Sequence, residues 1–146
     1  MSKLCAVVAL GCLAALSGCA TLKTYPGDRL DRSEVAVVKP GVESEVHVVI
    51  ESIDGRSLGP LRDRAEVLPG RHVVDVLVIL QGRSRTITRP MRFTLKAEAG
   101  REYTLRGDWF MYGPRIKIRD SEGELVAEAV TPPRRLHPVG AEAPPR

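Results

Sequence analysis

The stretch HVVDVLVIL, residues 72–80, carries the strongest strand pattern in the chain. Successive side chains of a strand point to opposite faces of a sheet, and here both faces are apolar. One face would carry Val74, Val76, Val78 and Leu80, and the other would carry Val73, Leu77 and Ile79 together with Asp75. A strand that is apolar on both faces usually lies in the middle of a sheet or beneath a covering sheet. We therefore expect this segment to be a central strand.

Turn pairs and further alternating segments surround this strand. Pro69-Gly70 precedes it and Gln81-Gly82 follows it, and both pairs favour a reversal of the chain. Pro90 predicts an edge strand or a bulge, and no segment after Cys19 has a persuasive helical period. Short strands with closely spaced turns are typical of a sandwich or a barrel. We predict an all-β fold, an antiparallel β-sandwich of about seven to eight short strands over residues 34–130.

The opening residues are organised like a secretory signal. Lys3 precedes an apolar run, residues 4–16, that contains no charged side chain. At ~1.5 Å per residue this run is too short to cross a ~30 Å hydrocarbon core comfortably as a helix. We therefore expect it to be the hydrophobic region of a signal peptide that spans residues 1–18.

Leu16-Ser17-Gly18-Cys19 closes this segment and resembles the lipobox of bacterial lipoproteins. The resemblance implies cleavage before Cys19, a diacylglyceryl thioether on its sulfur and an acyl group on its new amino group. Two or more chains anchor a protein stably, at about 0.8 kcal/mol per buried CH₂, whereas one chain is marginal. The membrane is thus the implied partner, and no cofactor is expected beyond these covalent groups. The alternative is an ordinary signal peptide or a short anchor with a chance cysteine.

Ala20 bears on which membrane would hold the anchor. It stands where an aspartate would resemble an inner-membrane retention signal. The resemblance therefore implies the outer membrane, with the domain facing the periplasm.

Composition limits the chemistry of the remaining chain. The three cysteines are Cys5, Cys12 and Cys19, so the domain that follows can hold no disulfide and no cysteine-based metal site. The formal net charge is +4 and comes mainly from arginine. A weakly basic protein leans toward phosphate-bearing surfaces, although a GC-rich genome also favours arginine. No nucleic-acid partner is expected.

The two ends of the mature chain lack periodicity. Residues 19–33 predict a lipidated tether, which could reach about 50 Å when extended. Residues 131–146 are rich in proline and poor in apolar side chains, and they predict a disordered tail. Its Pro132-Pro133-Arg134-Arg135 segment is either a basic ligand or a plain solvated tail.

The middle of the chain resembles the PEGA-type domain. The resemblance rests on Val48-Val49-Ile50, Ile53-Asp54-Gly55, Leu58-Gly59-Pro60 and the run from Leu68 through Pro69-Gly70-Arg71-His72 to Val76. In addition, residues 98–105, EAGREYTL, are similar to a segment of many small bacterial lipoproteins. These resemblances imply a β-sandwich at the cell surface and carry over no catalytic residues.

Signals for an enzyme are weak. His47, His72 and His137 show no metal-ligand spacing, and no nucleophile elbow occurs. Asp54 and Asp75 have no spacing that requires a catalytic pair. We therefore predict a non-enzymatic protein without a metal site, and a hydrolase would need His47 or His72 beside a carboxylate in a concave pocket.

Aromatic residues are concentrated at Trp109, Phe110 and Tyr112. With Arg106 they predict a binding surface that stacks on sugar rings or on a partner protein. In the alternative, Trp109 and Met111 continue the inward face of the preceding strand and close the core.

A second candidate surface is a group of arginines around Pro90, namely Arg83, Arg85, Arg89 and Arg92. They form either a basic ribbon for lipid phosphates and anionic glycans or a charged edge that prevents sheet-to-sheet pairing. Taken together, the sequence predicts a lipid-anchored binding or structural module for another envelope protein, or alternatively a glycan- or peptidoglycan-binding module.

Overall fold

A computed structural model describes residues 21–42, 46–59, 62–84, 86–111 and 113–130. These residues form ten strands, β1 to β10, with the bounds Thr21–Lys23, Ala36–Pro40, Val46–Ile53, Arg56–Ser57, Arg64–Val67, Gly70–Gln81, Thr86–Ala97, Glu102–Phe110, Gly113–Arg119 and Leu125–Val130. The predicted signal segment, the lipobox with Cys19 and the predicted tail lie outside the described residues. No helix able to span a bilayer occurs in the part of the chain that is described.

The strands form two sheets, which confirms the predicted all-β fold. One sheet has six strands in the order β1-β5-β2-β8-β9-β10, and the other has four in the order β4-β3-β6-β7. Two pairings differ from a purely antiparallel arrangement, since β1 pairs with β5 and β2 pairs with β8 in parallel. Both arise because the chain leaves one sheet and returns to it, so these neighbours are not joined by hairpins.

The strand predicted from residues 72–80 is the central strand β6. It lies between β3 and β7, and its Val74, Val76 and Val78 are buried between the sheets. The opposite face is only partly covered, with Val73 39% exposed. The predicted central position of this strand is therefore confirmed. No second sheet covers the outer face of β6 among the described residues.

The sheets approach closely where β8 passes beneath β3. A Cβ built on Gly107 would lie 2.8 Å from Val46 Cγ1 and 3.0 Å from Val48 Cγ2. Such distances leave no room for a side chain, so glycine at this position lets the two sheets meet. Beyond Gly107, β8 continues past the start of β3.

The structure differs from the predicted tether over residues 21–33. β1 pairs with β5, Leu22 packs against the core, and Tyr25 is only 5% exposed. The amide and the hydroxyl of Thr24 both donate to the carbonyl of Glu66, at 3.0 and 2.9 Å. Side-chain contacts and edge pairing, which leave no periodic pattern in the sequence, hold these residues, so the fold includes residues 21–33 ahead of the predicted start at residue 34.

Candidate binding surface

The predicted aromatic segment forms the end of a hairpin between β8 and β9. Their pairing runs from Thr104 opposite Arg119 to Phe110 opposite Gly113. On its other side, β8 pairs with β2 only as far as Leu105, opposite Pro40. The last residue pairs of the β8–β9 hairpin therefore project beyond the described end of β2. We call residues 109–111 the hairpin tip.

The hairpin tip exposes three large apolar side chains. Trp109 is 47% exposed, Phe110 37% and Met111 73%. Tyr103 and Leu105, earlier on the same strand, are buried. The interpretation in which Trp109 and Met111 extend the core is therefore wrong, because the facing sheet, as far as it is described, ends near Gly107 and has no further strand for them to pack on. Tyr112 lies outside the described residues.

Charged side chains brace the base of the hairpin on its outer face. Arg115 donates to both carboxylate oxygens of Asp108 at 2.7 Å, and Lys117 Nζ lies 2.8 Å from Oδ2. Hydrogen bonding by Arg115, opposed by partial burial and assisted by Lys117, lowers the pKa of Asp108 to about 2. The Arg115 guanidinium also lies over the Phe110 ring, 4.4 Å from its centroid. These contacts hold the tip in a fixed position.

Arg106 lies beside the hairpin base on the rim of a cationic pocket. This pocket has a volume of about 340 Å³ and is lined by Lys39, Pro40, Gly41, Val42, Asp63, Arg64, Thr104 and Arg106. Lys39 is paired with Glu102. Arg64 Nε is buried without a hydrogen-bond partner among the described residues, its nearest carboxylate oxygen being that of Asp63 at 3.7 Å. Val42, on the same rim, is 97% exposed.

The arginines predicted around Pro90 do not form one surface. Arg92 donates to Asp75 at 2.6 Å, Arg83 and Arg89 are exposed, and Arg85 lies outside the described residues. β7 is an edge strand of the four-stranded sheet, and Pro90 pairs opposite Leu77 with no break in register. The predicted edge strand is confirmed, without a bulge.

His72 and Asp54 form the histidine–carboxylate pair that a hydrolase would need. His72 Nδ1 lies 2.6 Å from Asp54 Oδ2, but Nε2 lies 2.6 Å from the carbonyl of Leu68. The carbonyl can only accept, so it occupies the nitrogen that would otherwise move a proton. Asp54 also accepts from the Val73 amide at 2.9 Å. The pair therefore fixes the Asp54-Gly55 turn, while His47 is exposed on β3.

Three neighbouring acidic side chains could together hold a cation, namely Asp120, Glu122 and Glu124. Asp120 already accepts from Arg101 at 2.9 Å and from the amides of Glu122 and Glu124 at 3.0 Å. These bonds account for its burial as the centre of the β9–β10 turn, and they favour a structural role.

Sequence reasoning missed one exposed feature, the edge strand β10. It ends the six-stranded sheet, and its Leu125, Val126 and Val130 are each about half exposed. The alternating pattern of β10 predicted a strand, but its position at the edge depends on the order of strands in the sheet. No protein-family model, curated protein or solved structure matches this chain.

Proposed function

We propose that this chain is a lipid-anchored lipoprotein of a bacterial cell envelope that acts as a non-enzymatic binding or structural module for another envelope protein. The lipobox Leu16-Ser17-Gly18-Cys19 supports the anchor, with diacylglyceryl and N-acyl groups on Cys19. Ala20 supports the outer membrane, facing the periplasm. The occupied nitrogens of His72 support a role without catalysis.

The observation that carries the binding role is the braced, exposed hairpin tip. Three consecutive apolar side chains, residues 109–111, are presented on a base whose charges are paired. Because the base is already ordered, a partner would bind without first ordering this surface. Arg106 adds a cation beside it.

The edge of β10 supports a protein as the partner. An unpaired strand edge can accept an additional strand from another chain, and main-chain hydrogen bonds then supply the affinity. Of the other sheet edges among the described residues, β1 and β4 are short, and β7 carries Pro90 and arginines. β10 is therefore the edge best suited to such pairing.

A glycan- or peptidoglycan-binding module is the second candidate. Trp109 and Phe110 expose aromatic surface on which sugar rings could stack. Binding of the chain to purified sacculi, in the absence of other proteins, would favour this candidate.

Site-specific crosslinking in intact envelopes tests the proposal. Photoreactive residues at Phe110 and Val126 should capture the same protein, whereas one at exposed Arg71, near the start of β6 in the other sheet, should not. The variant Cys19→Ala should lose the lipid anchor and, with it, the adduct. Adducts that do not depend on position, or binding to sacculi alone, would contradict a protein partner.

A further inference from the structure

β1, the described strand that follows the proposed anchor, starts at the same end of the six-stranded sheet as the hairpin tip. Thr21 pairs with Arg64, and the neighbouring pair Ala65–Val38 puts Arg64 level with Lys39. Lys39 in turn pairs with Thr104. The first residue of β1 is therefore level with Thr104, and β8 runs from there toward the side from which Cys19 enters.

Strand geometry shows that one plane can meet both features. At ~3.3 Å per residue the tip lies about 20 Å beyond Thr104, and chain length alone keeps Cys19, two residues before Thr21, within about 8 Å of Thr21. Three strand spacings of ~4.8 Å separate β1 from β8, which is about 14 Å. A plane inclined at about 35° to the strands therefore passes both Thr21 and the tip. The cationic pocket and Val42 lie on the strand ends between them.

The chemistry of this end suits the surface of a bilayer. Trp109 and Met111 at the tip and Val42 on the pocket rim are exposed apolar side chains, and tryptophan is favoured at membrane interfaces. Arg64 and Arg106 carry guanidinium groups, whose forked donors match phosphate oxygens.

We propose that this end of the sandwich is a bilayer-contact surface, in which the pocket holding Lys39, Arg64 and Arg106 binds lipid headgroup phosphate while Val42, Trp109 and Met111 enter the interface. The inference rests on the proposed lipid anchor at Cys19, which would raise the effective concentration of headgroups at this end of the domain. It assigns Trp109 and Met111 of the hairpin tip to lipid, and it leaves Phe110, which faces the other side of β8, and the β10 edge for a protein.

Trp109 is the only tryptophan in the chain, so its emission reports on the tip alone. The full chain, purified from membranes, would be reconstituted in vesicles with and without phosphatidylglycerol, using lipids brominated along their tails. We expect a blue shift and quenching by bromines near the headgroup. Unshifted, unquenched emission from anchored chain would overturn the inference while leaving the anchor intact.

The chain from residue 20 onward, expressed without the signal segment and without Cys19, separates the contact from the anchor. It should still sediment with phosphatidylglycerol vesicles, weakly and in a salt-dependent manner. Arg64→Gln and Arg106→Gln should each reduce this binding about fivefold. Arg71→Gln removes an arginine near the start of β6, outside the pocket, and is the matched control. It should leave vesicle binding unchanged.

Two further outcomes would overturn the contact. Equal losses in all three glutamine variants would indicate net charge rather than this pocket. Release from vesicles by inorganic phosphate at constant ionic strength would indicate a site for free phosphate. Failure of palmitate-analogue labelling at Cys19 would instead overturn the anchor, and the sedimentation result would then decide the contact alone.

Discussion

Arg115 contacts both Phe110 and Asp108: its guanidinium lies 4.4 Å from the Phe110 ring centroid and donates to both Asp108 oxygens at 2.7 Å. One side chain thus joins the exposed tip of the hairpin to the charges at its base. Because β8 no longer pairs with β2 at this point, these contacts of Arg115 take the place of part of the missing strand pairing.

Asp108→Asn should lower stability at neutral pH by about 1 kcal/mol. The pKa of the folded-state carboxyl is about 2, below its ordinary value of 3.8, so the ionised form is favoured by folding. At ~1.36 kcal/mol per pKa unit the full shift would be worth about 2.4 kcal/mol, but the side chain is 38% exposed and screening reduces it. Urea unfolding of both proteins measures the difference.

The pH dependence of that difference has a defined sign. A depressed folded-state pKa gives stability that is present above pH 4 and lost as the pH falls from 4 toward 2. The wild-type and Asp108→Asn curves should therefore converge in acid. Asp63→Asn, whose ion pair is longer at 3.7 Å and more exposed, is the control and should change the free energy of unfolding little. A gap that persists at pH 2 would contradict the assignment.

Tyr25→Ala should destabilise the domain by about 2–3 kcal/mol, because it removes a buried ring that covers the outer face of the sheet. Tyr25→Phe should cost about 1 kcal/mol or less, since it removes only the hydroxyl that accepts from the Leu30 amide at 3.2 Å. Thermal unfolding followed by circular dichroism distinguishes them. No effect from either variant would restore the interpretation of residues 21–33 as a tether.

Gly107→Ala should destabilise by about 1–3 kcal/mol, because its methyl group would overlap Val46 and Val48 on the facing sheet. Gly41→Ala meets Arg106 Cγ at a similar 2.8 Å, but that atom belongs to an exposed, flexible side chain. Its effect should be smaller. Equal losses of stability in urea would indicate that the sheets do not meet at Gly107.

Asp54→Ala should cost about 2 kcal/mol and Asp54→Asn about 1 kcal/mol or less. Asp54 has a φ of 51°, which asparagine tolerates and alanine does not, and both variants remove the carboxylate that contacts His72. Burial raises the pKa of Asp54, but the hydrogen bonds from His72 and Val73 lower it by more. The pKa of Asp54 is therefore below its ordinary value.

The contribution of Asp54 should therefore be present above its ordinary pKa and disappear as the pH falls below it. Acid titration of stability for the wild type and Asp54→Asn measures this dependence. A difference that grows in acid would have the wrong sign.

Local sequence patterns predicted the strands themselves better than they predicted which strands lie next to each other. The alternation in residues 72–80 identified β6, and Pro90 identified an edge strand, because both effects act within one strand. By contrast, the parallel pairing of β1 with β5 joins residues about forty positions apart and has no periodic signature. The aromatic segment was identified from composition, but its exposure depends on where the facing sheet ends.

The sequence by itself determined the strand pattern, the turns and the lipobox, since each depends on residues that are adjacent or alternate along the chain. Tertiary structure alone decided that residues 21–33 are folded, that Trp109 and Met111 are exposed, and that Arg64 and Arg106 line the same pocket. The physical reason is that burial and charge pairing depend on which strands become neighbours, and that choice is made by the whole core at once.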